Sequence, residues 1–273
     1  MPRVSVVVCS YNGAKTLRGC LEALSKLNYP DYEIILVDDG SKDNTQEIVR
    51  DFPKVINMVQ PNMGLSVARN NGANAGTGSI IAYTDSDCMP DPDWLYYLVQ
   101  PLLTGPYAGV GGPNISPPAT DWIQAAVAAA PGSPSHVLIS DVEAEHVPGC
   151  NMAFHKWALE MIGGFDPIYR KAGDDVDVCW RLMQMNQKIG FSPSAVVWHH
   201  RRFTVSAYFN QQKGYGEAES MLRYKHLNYF DDAGSARWKG TIYGAPLVDS
   251  IINESVIYRG FRHGIFSVHL SSA

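Results

Sequence analysis

The sequence of 273 residues lacks the features by which nucleic-acid-binding and membrane-spanning proteins are recognised. Basic residues are not in excess, since 22 Lys and Arg stand against 27 Asp and Glu, which gives a formal net charge of -5. A mildly acidic chain has no general electrostatic attraction for a polyanion, so we expect no nucleic-acid partner. No apolar stretch approaches the roughly 20 residues that a membrane-spanning helix needs.

Cysteine usage and the first residues both indicate a reducing compartment. The cysteines are five in number, widely spaced and without a Cys-x-x-Cys pair: Cys9, Cys20, Cys88, Cys150 and Cys179. This arrangement disfavours a disulfide framework or a structural zinc site and predicts buried free thiols. The apolar run at residues 4–9 is too short for a secretory signal. We therefore expect a cytoplasmic protein, with peripheral attachment to the inner face of a membrane as an alternative.

Two common nucleotide-binding motifs are also missing. No Gly-x-Gly-x-x-Gly follows the first apolar run, which disfavours a dinucleotide cofactor. The pattern Gly-x-x-x-x-Gly-Lys-Ser/Thr is absent too, which disfavours ordinary ATPase chemistry.

What the sequence does contain is an alternation of strand and helix patterns. Buried strands are predicted at residues 4–9, 33–37, 55–59 and 79–84, and helices at 14–27, 65–75, 156–162 and 175–185. Such alternation implies right-handed βαβ units, hence an open, mostly parallel sheet with helices on both faces. The glycine- and proline-rich stretch 105–118 is predicted to form loops, residues 146–154 to return to the sheet, and the chain beyond Thr204 to be mostly helical.

Polar clusters follow three of the predicted strands. They are Ser10-Tyr11-Asn12, Asp38-Asp39 and Asp85-Ser86-Asp87. Ligands bind at the carboxyl ends of strands in open parallel sheets, so this convergence predicts a binding site. Asp85 and Asp87 offer hard oxygen ligands that suit Mg²⁺ or Mn²⁺, although Asp-x-Asp by itself is more typical of a solvated turn or a helix cap.

Two later clusters add to the candidate site. Asp174, Asp175 and Asp177 open a predicted helix after Gly173, and helix capping explains only one carboxylate there, so the other two favour a functional role. His199 ends a short apolar strand and is either a third metal ligand or part of a basic turn. The arginines that follow it, Arg201 and Arg202, could contact phosphate.

Four blocks of sequence, in order, resemble the family 2 glycosyltransferases with the GT-A fold. They are residues 6–12 (VVVCSYN); 37–41 (VDDGS); 64–70 (GLSVARN) leading to Asp85-Ser86-Asp87; and 163–166 (GGFD) leading to 173–177 (GDDVD). The resemblance covers roughly residues 3–230. It implies an α/β, Rossmann-like GT-A domain over 1–230 and a helical C-terminal extension over 231–273. Residues 1–100 would form the nucleotide-sugar-binding half, and 101–230 the acceptor-binding half with the catalytic base.

The resemblance also assigns roles to single residues. It implies donor contacts for Ser10, Tyr11, Asp39, Arg69, Asp85 and Ser86. It implies that a Mn²⁺ or Mg²⁺ ion is bound by Asp87, Asp85 and His199. The catalytic base would be Asp175, and the acceptor would be contacted by Asp174, Trp180 and Arg181. The implied reaction inverts the anomeric carbon while a sugar moves from a nucleoside diphosphate, usually UDP, to a hydroxyl group. Its setting would be glycan or exopolysaccharide assembly of the bacterial type, with a glycan, a lipid-linked saccharide or a small molecule as acceptor.

The sequence departs from the family pattern at two places. Asp174 stands where the family commonly has Glu, and the processive block Gln-x-x-Arg-Trp is missing near Gln211, which favours transfer of single sugars. Two alternatives stay open: a sugar nucleotidyltransferase, which would usually carry a glycine-rich basic loop after the first strand, and a nucleotide-sugar-binding module without turnover. The segment 247–270 is interpreted as a packed helix, or else as a contact to a membrane surface or a second subunit.

Overall fold

The computed structural model describes residues 1–130, 135–200 and 204–243. In these residues the strands are β1 Val4–Ser10, β2 Tyr32–Asp38, β3 Val55–Val59, β4 Ile80–Asp85, β5 Cys88–Pro90, β6 Tyr107–Gly111, β7 Asn114–Ile115, β8 His136–Leu138, β9 Glu143–His146, β10 Asn151–His155, β11 Lys188–Phe191, β12 Val197–His199 and β13 Thr241–Tyr243. The α-helices are α1 Ala14–Leu24, α2 Thr45–Val49, α3 Leu65–Ala75, α4 Trp94–Thr104, α5 Trp122–Ala129, α6 Lys156–Met161, α7 Asp174–Gln184 and α8 Val205–Lys225, and a 3₁₀ turn covers Leu227–Tyr229.

One large sheet and one small sheet organise the described chain. The large sheet has the order β13-β8-β9-β11-β6-β10-β4-β1-β2-β3, and the small one has the order β5-β12-β7. Strands β4, β1, β2 and β3 are parallel, whereas β10 runs antiparallel to both β4 and β6. The first half is thus the predicted open parallel sheet, and β10 joins it to a mixed second half.

Strand β1 shows why the sheet is covered on both faces. Its side chains alternate, so that Val4, Val6 and Val8 join one apolar core while Val7 and Cys9 join the other. Helices α1 and α4 bury their apolar stripes in the first core, and α3, α6 and α7 bury theirs in the second. A strand buried on both faces is nearly continuous in apolar character, as the sequence of β1 is.

The predicted elements of the first half match the structure closely, and those of the second half less so. The predictions for 55–59 and 65–75 coincide with β3 and α3. The loop prediction for 105–118 was wrong, because Tyr107–Gly111 forms a strand inside the large sheet. Gly109 fits there because the Phe154 ring of the neighbouring strand lies only 2.3 Å from where its Cβ would stand. Tertiary packing, which the local pattern does not encode, overrides the loop signal.

The structure describes only part of the C-terminal region for which helices were predicted. Helix α8 follows Thr204 as expected, but the described part of the extension, 231–243, ends in strand β13, which pairs with β8. The segment 247–270 and the arginines Arg201 and Arg202 lie outside the described residues. Across the described ranges, no helix is both long enough and apolar enough to cross a lipid bilayer.

Candidate active site

The polar clusters after β1, β2 and β4 meet at one edge of the sheet, as predicted. In the parallel register Cys9 lies opposite Asp85, and Ser10 lies opposite Asp38. The side chain of Tyr11 is exposed, whereas the Ser10 hydroxyl is buried and has no hydrogen-bond partner among the described residues. A buried, unpaired hydroxyl at the end of a parallel strand is a group that a bound ligand can satisfy.

Asp39 shapes the loop that leads into α3. Its carboxylate accepts hydrogen bonds from the side chain of Gln60 at 2.7 Å and from the backbone N–H groups of Met63 at 2.8 Å and Gly64 at 2.9 Å. The side chain is buried, so these bonds satisfy a charge that would otherwise be costly to bury. The expected donor contact of Asp39 would have to be made in addition to this structural role.

Arg69 of α3 connects the strand ends with the start of α7. Its guanidinium is 2% exposed and lies 2.5 Å from an Asp174 carboxylate oxygen and 3.3 Å from Asp85 Oδ1. The ring of Phe165 lies 5.5 Å from the same guanidinium. A buried fork of donors shared by two carboxylates fixes both of them in place. Residues 105 positions apart in sequence are thereby held in one cluster.

More negative than positive charge surrounds Arg69, and the pKa values reflect this. Burial raises the pKa of Asp174 to about 6 against the opposing effect of Arg69, and the neighbouring Asp175 raises it further. Burial likewise raises the pKa of Asp85, again against Arg69. The pKa of Arg69 itself is raised by the two carboxylates although burial would lower it. The positive charge of Arg69 alone does not balance the two carboxylates that it contacts.

Asp175 differs from its neighbour in both contacts and charge. Gly173 adopts a left-handed φ of 86° ahead of α7, which suits glycine and starts the helix. Asp175 Oδ2 accepts a hydrogen bond from Gly149 N at 2.8 Å and lies 3.5 Å from His146 Nε2. The latter distance is too long for a strong hydrogen bond. Burial would raise the pKa of Asp175, but His146, Arg69 and Gly149 together hold it below its usual range.

Sequence reasoning missed His146. It is the last residue of β9 and is 7% exposed. No local motif surrounds it, and it lies next to Asp175 only because β9 packs against α7 in the folded chain.

Two of the residues expected to contact the acceptor are engaged in contacts within the protein. Trp180 is 1% exposed and stacks on Tyr229 with ring centroids 4.3 Å apart. Arg181 donates to Asp177 at 2.7 Å and to the carbonyl groups of Ile162 and Gly164 at 2.6 Å each. Both side chains are therefore occupied in holding α7 to its neighbours, and the geometry does not favour an acceptor contact for either.

Asp87 and His199 meet across the small sheet. His199 lies opposite Cys88 in the antiparallel pairing of β12 with β5, and its Nε2 atom lies 3.5 Å from Asp87 Oδ1. The other ring nitrogen, Nδ1, lies 3.9 Å from Cys150 Sγ. Burial alone would lower the pKa of His199, but Asp87 and Cys150 raise it well above its usual value. Asp87 and His199 are thus brought together, and Asp85 lies two residues earlier at the end of β4. Ligation of a metal by these three residues stays a prediction.

Comparison with known proteins agrees with this geometry. The family model described as Glycosyl transferase family 2 matches residues 5–160. A protein of Bacillus subtilis named "Probable glycosyltransferase YdaM" is 28% identical over 246 residues, covering 84% of this chain and 58% of its own. The Poly-beta-1,6-N-acetyl-D-glucosamine synthase of Staphylococcus epidermidis is 26% identical over 245 residues, covering 81% of this chain and 56% of its own. The chain therefore spans little more than half the length of these relatives.

A solved structure shares the fold. It is that of a mannosyltransferase from Pyrobaculum calidifontis in complex with GDP-Man and Mn²⁺, which aligns with a TM-score of 0.64 at 23% identity and covers 83% of this chain and 64% of its own. At this level of identity, the alignment establishes a common architecture.

Proposed function

The chain belongs to glycosyl transferase family 2 and has the GT-A fold, and from this we propose that it transfers a sugar from a nucleoside diphosphate donor to an acceptor hydroxyl group. One observation carries the proposal. Arg69 contacts both Asp85, at the strand end where a donor would bind, and Asp174, at the helix start that carries the proposed base. Donor and acceptor chemistry would thus meet around one buried guanidinium.

The proposed base is Asp175. A base must be ionised and within reach of the acceptor, and the pKa of Asp175 is held below its usual range while 21% of its side chain is exposed. It would accept the proton of the acceptor hydroxyl as that oxygen attacks the anomeric carbon. Attack opposite the departing diphosphate in one displacement inverts the configuration of that carbon.

The carboxylates at the end of β4 fit a divalent cation of the Mn²⁺ or Mg²⁺ type. Such ions need only one or two protein carboxylates when donor phosphates complete their coordination. Asp87 would be a ligand, with His199 Nε2 beside it, and Asp85 binds Arg69 through Oδ1 alone. When bound, the cation neutralises charge that develops on the departing diphosphate. Ser10, Tyr11, Asp39, Arg69 and Ser86 would orient the donor.

Single-sugar transfer is part of the proposal, because the described chain lacks the processive block near Gln211. The acceptor would be a glycan, a lipid-linked saccharide or a small molecule. One relative is named as a polysaccharide synthase, which supports a setting in glycan assembly.

The deciding experiment is calorimetric titration of the protein with UDP and with GDP, each with and without Mn²⁺. We expect one nucleotide to bind only in the presence of the metal. Sugar nucleotides of that base are then incubated with acceptors, and the anomeric configuration of the product is determined by NMR. Retained configuration would contradict the single displacement, and absence of nucleotide binding in all four titrations would contradict the donor site.

A further inference from the structure

Two thiols and an imidazole converge directly behind the Asp85–Asp87 turn. They belong to Cys88 at the start of β5, Cys150 in the loop before β10, and His199 at the end of β12. Their ligand atoms all lie within 4.8 Å of one another, and the three residues are 0%, 2% and 5% exposed. Spacing along the chain gives no sign of this group, because 62 residues separate the two cysteines and His199 lies 49 residues further on.

The three side chains are held from separate and well-fixed segments. Cys88 and His199 are a cross-strand pair of the small sheet. Cys150 precedes Asn151, whose side chain donates to the carbonyl of Ala195 at 2.6 Å and accepts from the indole N–H of Trp94 at 2.8 Å. The group is therefore organised before any ligand arrives, which lowers the entropic cost of binding one.

The chemistry of this donor set selects a particular class of ion. Thiolate and imidazole ligands suit Zn²⁺ and similar soft cations, whereas Mn²⁺ and Mg²⁺ prefer oxygen. Zn–S and Zn–N bonds of about 2.3 and 2.0 Å place S and N roughly 3.5 Å apart in a tetrahedron. The observed distance from Cys150 Sγ to His199 Nδ1 is 3.9 Å, so a small contraction suffices.

The surroundings resemble the usual pattern of a histidine ligand, with the carboxylate at a longer distance than in a hydrogen bond. A metal-bound histidine commonly has a carboxylate at its second ring nitrogen. Here Asp87 Oδ1 lies 3.5 Å from His199 Nε2 while Nδ1 faces the thiols. The side chain of Asp87 is 17% exposed, so the group lies next to a residue that solvent reaches.

We propose that Cys88, Cys150 and His199 Nδ1 form a binding site for a thiolate-preferring divalent cation such as Zn²⁺. With the ion on Nδ1, His199 would keep its proton on Nε2, where it faces Asp87 Oδ1 and cannot ligate a second cation. Both residues are assigned above to the Mn²⁺-dependent donor site, so occupancy of the thiol site would inhibit sugar transfer. This inhibitory consequence rests on the proposed function, whereas binding of the ion does not.

Titration of the reduced, full-length protein with Co²⁺ tests the site without any assay of activity. Co²⁺ replaces Zn²⁺ in such sites, and thiolate ligation gives an intense near-ultraviolet charge-transfer band. We expect this band at one equivalent of Co²⁺, its loss on addition of Zn²⁺, and its absence in Cys88→Ala and in Cys150→Ala. The control Cys179→Ala removes a buried thiol outside the group and should retain the band. A wild-type protein without the band, or a band that persists in both variants, overturns the proposal.

A second measurement covers the case in which the alanine variants do not fold. Wild-type protein is alkylated with and without Zn²⁺ during brief partial unfolding, and the modified cysteines are identified by mass spectrometry. Selective protection of Cys88 and Cys150 supports the site, and equal labelling of all five cysteines overturns it. If the ion binds but inhibits no transfer under conditions of active turnover, the inhibitory role is wrong. If no sugar transfer is found at all, the proposed function fails while the metal site stands.

Discussion

The chain contains the pattern Asp-x-Asp at two places of the candidate site, and the two differ in what surrounds them. Asp85, at the end of β4, and Asp87, in the turn that follows, have side chains that are 33% and 17% exposed and contact Arg69 and His199, respectively. Asp177, in the first turn of α7, is fully buried against His226 Nε2 at 2.7 Å, Lys225 Nζ at 2.8 Å and Arg181 Nε at 2.7 Å. The sequence pattern is the same at both places, but the side chains that contact its carboxylates determine whether a ligand can reach them.

The two carboxylates of the second pattern, Asp175 and Asp177, also differ in their contacts. Asp175 faces Gly149 and His146, while Asp177, two residues later, anchors the helix to the segment around His226. The crowding of carboxylates at the start of α7 is therefore relieved, because each has its own partner on a different element. Substitutions that separate these roles sharpen the comparison.

The largest expected effect is that of Asp175→Asn. The amide cannot accept the acceptor proton, so we expect kcat to fall by about 10²–10⁴-fold. Nucleotide affinity in the presence of Mn²⁺ should persist, because the side chain of Asp175 contacts Gly149 and His146, which are not among the residues proposed to bind the donor. Initial rates and calorimetry on the same preparation measure both quantities. Asp51→Asn, at an exposed pair with Arg18, is the matched control, and turnover equal to it would remove Asp175 from the mechanism.

Asp177→Ala should act on stability instead. The substitution leaves Lys225, Arg181 and His226 around a site without its carboxylate, and breaking a buried ion pair in this way costs about 3–5 kcal/mol. Denaturant unfolding gives the free energy directly, with Asp175→Asn as the comparison. If the two variants lost similar stability, the division between an anchoring and a reacting carboxylate would be wrong.

Asp87→Ala tests the role of the more exposed Asp-x-Asp pattern, at residues 85–87. We expect the affinity for the nucleoside diphosphate to become independent of Mn²⁺. The loss should be roughly 10–100-fold or more, because that range is typical when only a hydrogen-bond partner of a metal ligand is removed. The fold should be retained, because Asp87 is partly exposed and lies in a turn. Calorimetry with and without Mn²⁺ measures the effect. Normal metal-dependent affinity in this variant would show that the ion is held elsewhere.

The comparison also shows which parts of the site the sequence encodes. The strand ends with Ser10, Asp39 and Asp85 were predicted because local periodicity defines β1, β2 and β4, and parallel strands end at one edge. The pairing of Arg69 with Asp174 was not, since it joins distant segments through tertiary packing alone. The local sequence pattern likewise does not show that Trp180, five residues after the proposed base, is buried against aromatic rings.

The second half of the sheet resisted prediction for a related reason. Residues 105–113 carry glycine and proline at a density typical of loops, yet β6 lies in the middle of the sheet between β10 and β11. Some of the side chains that fill the space at these glycines come from distant segments, such as Phe154 at Gly109 and Val147 at Gly111. His146 and Gly149, which hold Asp175, lie in this same half and therefore escaped notice.

His146→Gln is the substitution of smallest expected effect, and it tests the contact that the sequence did not suggest. His146 helps to hold the pKa of Asp175 below its usual range against the opposing effect of burial. Without the imidazole that pKa rises. Transfer requires the ionised carboxylate and is lost as the pH falls through its pKa, so the acidic limb of the kcat/KM profile should move to higher pH. At neutral pH the change should be small, because a carboxyl near the usual value of about 3.9 is still ionised.

The pH dependence of the free energy of unfolding should change in the same direction. A carboxyl with a lowered pKa stabilises the folded state above the pKa of the unfolded chain, and that contribution is lost as the pH falls through the folded pKa. Removing His146 should therefore make the protein more sensitive to acid, which unfolding curves at decreasing pH would measure. His155→Gln, whose ring lies against Trp157 away from the cleft, is the control. An acidic limb that stays in place in folded His146→Gln would mean that Gly149 and Arg69 set the charge of the base without the histidine.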